Sequence, residues 1–97
     1  MSAHHDLCFG CGQANLFGLQ VEDGRFFVKQ DHQGEPGVAH RGIIATALCE
    51  VIAAEGQRLE VEFYADVPVG VFVDLGATAT GAEARVDGNL VARAAVR

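Results

Sequence analysis

A loop of small and polar residues leads into an apolar segment in the middle of the chain, and their junction could do chemistry through its backbone. Residues 33–39 read QGEPGVA, and His40-Arg41-Gly42 follow directly. The first N–H groups of a helix lack partners within the helix, and the positive end of its dipole points the same way. Such groups can polarise a carbonyl oxygen. The N–H groups at this helix start, on Gly42 with Arg41 and Ile43 beside it, are therefore candidate donors to such an oxygen.

Glu50 is a carboxylate within the apolar segment, among Ala47, Val51 and Ala54. Burying a carboxylate is costly unless it is paired or protonated, so this position indicates either a functional acid or a carboxylate that reaches solvent or a neighbouring arginine at a dimer seam. For its neighbour Cys49, a structural role is favoured over a chemical one. A lone cysteine on an apolar helix is usually a small core residue, and the sequence places no base beside it to form a thiolate nucleophile.

His40 and Thr46 each have a structural and a chemical interpretation. His40 can be a capping or packing residue whose ring bonds a backbone carbonyl, or it can act on a ligand directly. The Thr46 hydroxyl can bond the helix carbonyl four residues earlier, or it can touch a ligand. We favour the structural interpretation for both side chains.

Cys8 and Cys11, with His4 and His5, are the ligand types of a zinc site. Their spacing argues against one, because four ligands within eight residues rarely close a tetrahedral site in one chain. A redox pair is also disfavoured, since nothing places a helix immediately after Cys8 to lower its pKa. The sequence therefore predicts no metal site.

The apolar segment at residues 42–55 predicts a helix with apolar side chains at nearly every angle around its axis. A surface helix would show a polar stripe, so this helix is expected to be enclosed by a wrapped sheet. Gly56 can take the left-handed conformation that ends a helix.

The flanking segments predict antiparallel strands. Asp23-Gly24 and Asp87-Gly88 are turn pairs suited to tight hairpins. Between Gly70 and Asp87 the pattern allows either one bulged strand or two short strands. The open sheet leaves edges that pairing with a second copy would cover. The predicted strands are residues 16–22, 25–30, 59–64, 71–73 and 89–96.

The composition excludes several classes of protein. The 97 residues, of which 49% are hydrophobic, suffice for one domain, expected to span residues 1–97. The net charge of −6 disfavours binding to nucleic acid or anionic membranes. No apolar run approaches the about 20 residues that span a bilayer, and the first residues do not read as a secretion signal. Three cysteines fit a reducing compartment, so we expect a cytoplasmic protein.

Three segments together form a pattern that is more specific than any one of them. They are Cys8-Phe9-Gly10-Cys11-Gly12 with Asn15 and Gly18-Leu19, then residues 33–42, then residues 43–50. In combination they resemble the hotdog-fold acyl-CoA thioesterases of the phenylacetate-degradation type, and Val67-Pro68-Val69-Gly70 resembles a turn of the same family. The resemblance implies an α+β hotdog fold, with an antiparallel sheet of five or six strands around one central helix. It also implies that residues 1–15 form a lead-in segment near the pocket.

The resemblance assigns roles around the helix start. A thioester carbonyl is held at the position of His40-Arg41-Gly42, and a carboxylate about two turns along the helix, reaching across a dimer interface, activates water or attacks. Cys49 matches the position of the acid and Glu50 the acid that often follows it. The implied catalytic residues are Glu50, Gly42 and His40, and the implied substrate-binding residues are Arg41, Ile43, Thr46 and Cys49.

Two classes of function follow. One is an acyl-CoA thioesterase that works as a homodimer or homotetramer, with coenzyme A thioester as substrate and no metal or bound cofactor. The other is a non-catalytic hotdog module that binds an acyl-CoA or another small ligand, or serves only in oligomerisation. Arg41, where the family has glycine, Cys49 at the acid position and the short chain motivate the second class.

Overall fold

A computed structural model of the chain describes residues 12–14, 18–52 and 58–96. Several predicted features lie outside these residues: most of the lead-in segment with His4, His5, Cys8, Cys11 and Asn15, the start of the first predicted strand, and the predicted end of the helix at Gly56. The described elements are β1 (Arg25–Phe27), a 3₁₀ helix (Gln30–His32), α1 (Arg41–Ile52), β2 (Leu59–Phe63), β3 (Phe72–Ala77), β4 (Gly81–Val86) and β5 (Asn89–Val96).

The five strands form one antiparallel sheet in the order β1-β3-β4-β5-β2. This architecture confirms the predicted α+β fold class. The segment between Gly70 and Asp87, which the sequence left open, forms two strands. The strands β1 and β2 lie at the two edges, so each is hydrogen-bonded to the described sheet on one side.

Both predicted hairpin turns are present. Asp23 and Gly24 have φ values of 53° and 73°, and Asp87 and Gly88 have 51° and 82°. Positive φ at both central residues is the turn geometry that matches the twist of paired strands, which aspartate and glycine adopt at low cost. The turn at Asp87-Gly88 joins β4 to β5.

The predicted strand at residues 16–22 is wrong for its described part. Only Glu22 forms a bridge, with Arg25. Gln20 has a φ of 53°, which is incompatible with an extended strand. The Lys29 ammonium donates to the Gly18 carbonyl at 3.1 Å and to the Gln20 side chain, so a lysine holds this segment in place of a partner strand.

The helix α1 lies across β3, β4 and β5. Its contact residues Ile44, Ala47 and Leu48 are buried at 2%, 0% and 0% exposure. Beneath them the sheet presents four fully buried alanines, which face one another in two cross-strand pairs: Ala84 opposite Ala92, and Ala82 opposite Ala94. Small side chains at these positions allow the helix to lie close to the strands.

The sheet encloses α1 only in part within the single chain. Arg41, Gly42 and Cys49 are exposed, and Glu50 is half-buried. A five-stranded sheet covers one side of a helix, and the apolar or small residues on the other side stay accessible. That side is therefore available to a second molecule.

The outer face of the sheet is charged. Three ion pairs lie on it: Arg25 with Asp74 at 3.4 Å, Arg85 with Glu83 at 3.0 Å and Arg93 with Glu62 at 3.3 Å. These groups are solvated, so the pairs contribute little stability. The acidic residues of these strands are accessible to solvent, since Glu60, Glu62 and Asp74 are exposed and Glu83 is half-buried.

Candidate functional site

The loop before α1 lies beside the turn at residues 67–70. The Ala39 N–H donates to the Val67 carbonyl at 2.7 Å, and the Val69 N–H donates to the Gly37 carbonyl at 2.9 Å. Val38 and Pro68 form an isolated antiparallel bridge. Two segments that the sequence singled out separately therefore form one structural unit at the amino end of the helix.

Within the loop, backbone and side-chain bonds set a tight reversal. The Gly34 N–H donates to the Val38 carbonyl at 2.9 Å, and the Gly37 N–H donates to the Gln33 side-chain oxygen at 2.8 Å. Gly37 has a φ of 82°, a conformation that favours glycine. The reversal directs the chain into His40 and the start of α1.

His40 caps the helix. Its N–H donates to the His32 carbonyl at 2.8 Å, and its carbonyl accepts the Ile43 N–H at 2.9 Å. Its ring Nδ1 accepts the Gly42 N–H at 2.9 Å. The capping role expected for His40 is confirmed, although the ring bonds a backbone N–H and not a carbonyl.

This cap bears directly on the predicted oxyanion donors. The Gly42 N–H is bound to the His40 ring and the Ile43 N–H to the His40 carbonyl, whereas no acceptor for the Arg41 N–H is present among the described residues. Arg41 and Gly42 are both exposed, so the helix start opens onto the surface of the single chain. Polarisation of a carbonyl at this position stays a prediction.

Thr46 and Ile43 have structural roles. The Thr46 hydroxyl donates to the Gly42 carbonyl, four residues earlier, at 2.7 Å, which confirms the interpretation favoured from sequence. Ile43 is half-buried and packs against the hydrophobic core. Their predicted contacts with a substrate remain untested.

The exposed face of α1 carries Gly42, Thr46 and Cys49. At about 100° per residue, Cys49 returns to within about 20° of Gly42, whereas Glu50 is rotated about 80° away. Cys49 is exposed and Glu50 is half-buried, in agreement with this geometry. The side chain in line with the helix start is therefore a thiol, and the carboxylate lies on its flank.

The Cys49 thiol is in an environment that disfavours its ionisation. Partial burial raises its pKa, and the neighbouring Glu50 carboxylate raises it further. A thiol with a raised pKa is protonated at neutral pH, so it is a weak nucleophile and no general base. The expectation that Cys49 is not a catalytic nucleophile is supported.

We therefore expect Cys49 to react slowly with iodoacetamide at neutral pH and faster as the pH rises through its raised pKa, because the thiolate is the reacting form. Glu50→Gln should speed the reaction at a given pH, since it removes the second cause of the shift. Mass spectrometry of the Cys49 peptide over a pH series measures both effects. Glu62→Gln, on the outer face of the sheet, should leave the rate unchanged, and rapid alkylation of the parent protein at neutral pH would contradict the assignment.

Arg41 extends from the helix start towards β2. Its guanidinium carbon lies 5.1 Å from the centroid of the Phe63 ring, a cation–π contact on the inner side of an edge strand. Among the described residues no ion pair of Arg41 is present. This cation is therefore held against the Phe63 ring of the edge strand, where it can meet a phosphate or carboxylate of a ligand.

The positions of Gly42 and Glu50 limit what one chain can do. Eight residues of helix separate them, or about 12 Å along the axis. A carboxylate needs hydrogen-bond reach of the reacting water, so Glu50 of the same chain does not serve a carbonyl bound at Gly42. The two groups can act together only if a second copy of the chain supplies the carboxylate.

A cavity of about 310 Å³ lies elsewhere, beside β1. None of the predicted site residues lines it. An aromatic pair at its rim, Phe27 and Phe72, has ring centroids 5.1 Å apart, with the Arg25 guanidinium 4.2 Å from the Phe72 centroid. The lining residues are Gln13, Leu19, Gln20, Glu22, Asp23, Arg25, Phe26, Phe27, Lys29 and Phe72.

His32 belongs to the site although the sequence does not point to it. His32 is 2% exposed, its Nδ1 accepts the Lys29 N–H at 3.2 Å, and its carbonyl accepts the His40 N–H. It therefore supports the cap from inside the fold. A histidine within the polar run QDHQG carries no sequence signal for burial.

Two further kinds of feature are absent from the described part of the chain. Residues 12–14, 18–52 and 58–96 hold no group of three or more His, Cys, Asp or Glu side chains that could bind a metal ion. Cys8 and Cys11 lie outside this part of the chain. Within it, no helix is long and apolar enough to span a membrane.

Comparison with known proteins gives a likeness of fold. No protein-family model matches the chain, and no curated protein matches its sequence. Among solved structures, the chain is similar to zebrafish thioesterase superfamily member 2, with a TM-score of 0.50 and 16% identity over 74% of this chain and 68% of that one. Together with the sheet order and the helix across its inner face, this likeness shows that the chain has the hotdog fold.

Proposed function

We propose that the protein is an acyl-CoA thioesterase that hydrolyses a small or medium acyl thioester at an interface between two copies of the chain. The observation that carries this proposal is the exposed amino end of α1, where the Arg41 N–H has no acceptor among the described residues and lies at the positive end of the helix. The likeness to a thioesterase superfamily member supports the proposal at the level of the fold.

In the proposed reaction the amino end of α1 polarises the thioester carbonyl. Glu50 of the second copy removes a proton from a water molecule, whose oxygen attacks the carbonyl carbon. The tetrahedral intermediate collapses as its carbon–sulfur bond breaks, and the CoA thiolate takes up a proton. Oriented donors and a carboxylate suffice for this chemistry, so it requires no metal or further cofactor.

Association into a homodimer or homotetramer follows from the open side of the molecule. The strand β2 is an edge, and its inner side chains Leu59, Val61 and Phe63 are only half-buried. Pairing with a second copy would satisfy the free edge and cover these apolar groups. It would also bring the exposed face of one helix within reach of the other subunit.

Arg41 is proposed to bind an anionic group of the acyl-CoA. Its guanidinium rests on Phe63 beside the helix start, and bidentate contacts to phosphate or carboxylate are the typical use of such a group. Ile43, Thr46 and Cys49 would line the same substrate path on either side of Gly42.

A second candidate function is a non-catalytic hotdog module that binds an acyl-CoA. The protonated Cys49 thiol in line with Gly42 favours it, because the group best placed on the helix face offers no base. Binding would then use the helix start and Arg41 without turnover.

Hydrolysis of short, medium and aromatic acyl-CoAs, followed by thiol release, tests the proposal. We expect turnover with at least one substrate and a loss of about 10²-fold in kcat for Glu50→Gln, the scale of a general base. Glu62→Gln, which removes a carboxylate from the opposite sheet face, is the matched control and should keep parental activity. Equal activity of parent and Glu50→Gln removes Glu50 from the mechanism, and tight binding without turnover establishes the second function.

A further inference from the structure

The His40 ring lies between two glycines, Gly34 and Gly42. A Cβ atom placed on Gly34 would lie 3.1 Å from the ring Cδ2, and one placed on Gly42 would lie 3.1 Å from Nδ1 and 3.4 Å from Cε1. These distances are tighter than ordinary contacts, so side chains at either position would push the ring. The two glycines therefore allow one ring position at the start of α1.

The hydrogen bond from Gly42 determines which ring nitrogen carries the proton. A backbone N–H can only donate, so Nδ1, 2.9 Å from the Gly42 nitrogen, must be an acceptor. A neutral imidazole with an unprotonated Nδ1 carries its proton on Nε2. The backbone thus selects the Nε2–H tautomer of His40.

The Nε2 atom is the part of the ring that remains available. The edges of the ring flanking it face Gly34 through Cδ2 and Gly42 through Cε1, and the residue is exposed. No hydrogen bond of His40 Nε2 occurs within the described residues. Its N–H is therefore a donor held at the amino end of the helix by the bond to Gly42.

We propose that the His40 Nε2–H donates the hydrogen bond to the thioester carbonyl oxygen, and that the Gly42 N–H acts through the ring by holding this tautomer. The assignment of the ligand rests on the proposed thioesterase function, whereas the tautomer follows from the geometry alone. An oxyanion receives a donor that is oriented before the substrate arrives.

The tautomer is tested by long-range ¹H–¹⁵N spectroscopy of the ¹⁵N-labelled protein at mildly alkaline pH, with the His40 signals assigned by their loss in His40→Gln. We expect a protonated Nε2 and an unprotonated Nδ1. His32, whose Nδ1 also accepts a backbone N–H, gives an internal reference for the same pattern. Gly42→Ala and Gly34→Ala should shift His40 towards tautomer averaging, and Gly76→Ala, with nothing within 4 Å, should not. A protonated Nδ1 or an averaged signal in the parent protein overturns the inference.

Two substitutions separate the donor role from the capping role. The asparagine oxygen of His40→Asn can replace Nδ1 as acceptor for Gly42 but leaves no donor at the Nε2 position. The glutamine amide of His40→Gln reaches the Nε2 position with a donor. If His40 donates to the substrate, kcat should fall about 10²-fold in His40→Asn and be partly restored in His40→Gln. The reverse order would assign His40 to helix capping only and overturn the donor role.

A hydrolysis-resistant ketone analogue of acyl-CoA distinguishes failure of the proposed thioesterase function from failure of the His40 donor role. Its binding should shift the His40 Nε2 resonance and leave that of His32 in place, whether or not the protein turns over thioesters. Binding with this shift but without hydrolysis would support the donor role while removing the enzymatic function. An analogue that does not bind, or binds without moving the His40 resonance, overturns the donor role.

Discussion

Cys49→Asp is expected to raise kcat for acyl-CoA hydrolysis by about 10²- to 10³-fold over the parent protein, within the range contributed by a well-placed general base. Residue 49 lies on the helix face shared with Gly42, and it is exposed in the single chain. A carboxylate there would lie on the exposed face of α1 that we propose meets the second copy, whereas Glu50 lies on the flank of that face.

The electrostatic surroundings are compatible with this carboxylate. The raised pKa of Cys49 has partial burial as its larger cause and Glu50 as its smaller one. An aspartate at this exposed position retains contact with water, so it can ionise at neutral pH despite its acidic neighbour. Its charge would then be present at the pH of the assay.

Cys49→Asn is the matched control, since it has the shape of aspartate without the charge. It should leave kcat close to the parental value, and both variants should bind the substrate with a similar KM. Equal rates for Cys49→Asp and Cys49→Asn would show that a carboxylate on this face does not reach the thioester. Together with tight binding by the parent protein, that result would favour the binding module.

The local features of the fold were predictable because their causes are local. The turn pairs Asp23-Gly24 and Asp87-Gly88 adopt the expected positive φ values, and the alternation at residues 59–63 gives β2. The failed strand at residues 18–22 shows the limit. Its extended pattern is overridden by Lys29, a residue of another segment whose ammonium binds the Gly18 carbonyl.

Enclosure of the helix could not be predicted from residue types. Apolar side chains around α1 indicate that most of its surface avoids water, but they do not state whether the same chain or another one supplies the cover. The structure shows that the sheet covers Ile44, Ala47 and Leu48 and leaves Cys49 exposed. The apolar pattern around α1 therefore predicts burial of the helix in the proposed assembly of two copies, and not in the single chain.

For the site, the sequence predicted which residues lie close together but not the hydrogen bonds between them. The order of residues brings His40 and Gly42 together in any helix start, so their proximity follows from the chain itself. The bond from the Gly42 N–H to the His40 ring depends on a side-chain rotamer, and the pairing of Ala39 with Val67 depends on the path of the loop. Neither can be read from spacing.

Among Gly→Ala substitutions at the described glycines, Gly81→Ala is expected to lower the free energy of unfolding most. Its methyl group would meet backbone atoms and not a flexible side chain. A Cβ at Gly81 would lie 2.9 Å from the Ala94 carbonyl carbon and 3.0 Å from the Ala95 Cα, and closer still to the Ala94 oxygen. Gly81 pairs with Ala95 where β4 begins beside β5, so the methyl group must separate two hydrogen-bonded strands.

The expected loss is about 3 kcal/mol, the upper part of the range for overpacking. For a domain of this size it corresponds to a fall of roughly 12–24 °C in Tm, measured by thermal denaturation with circular dichroism. Gly76→Ala is the matched control, because Gly76 also lies within a strand but a Cβ there meets nothing within 4 Å.

The control should leave Tm unchanged or raise it slightly, since alanine costs about 0.5–1 kcal/mol less than glycine in a strand interior. A Tm for Gly81→Ala equal to that of Gly76→Ala would contradict the close approach of β4 to β5 at this point. The pairing of Ala82 with Ala94 directly follows Gly81, so the same result would also remove the basis for the alanine surface on which α1 lies.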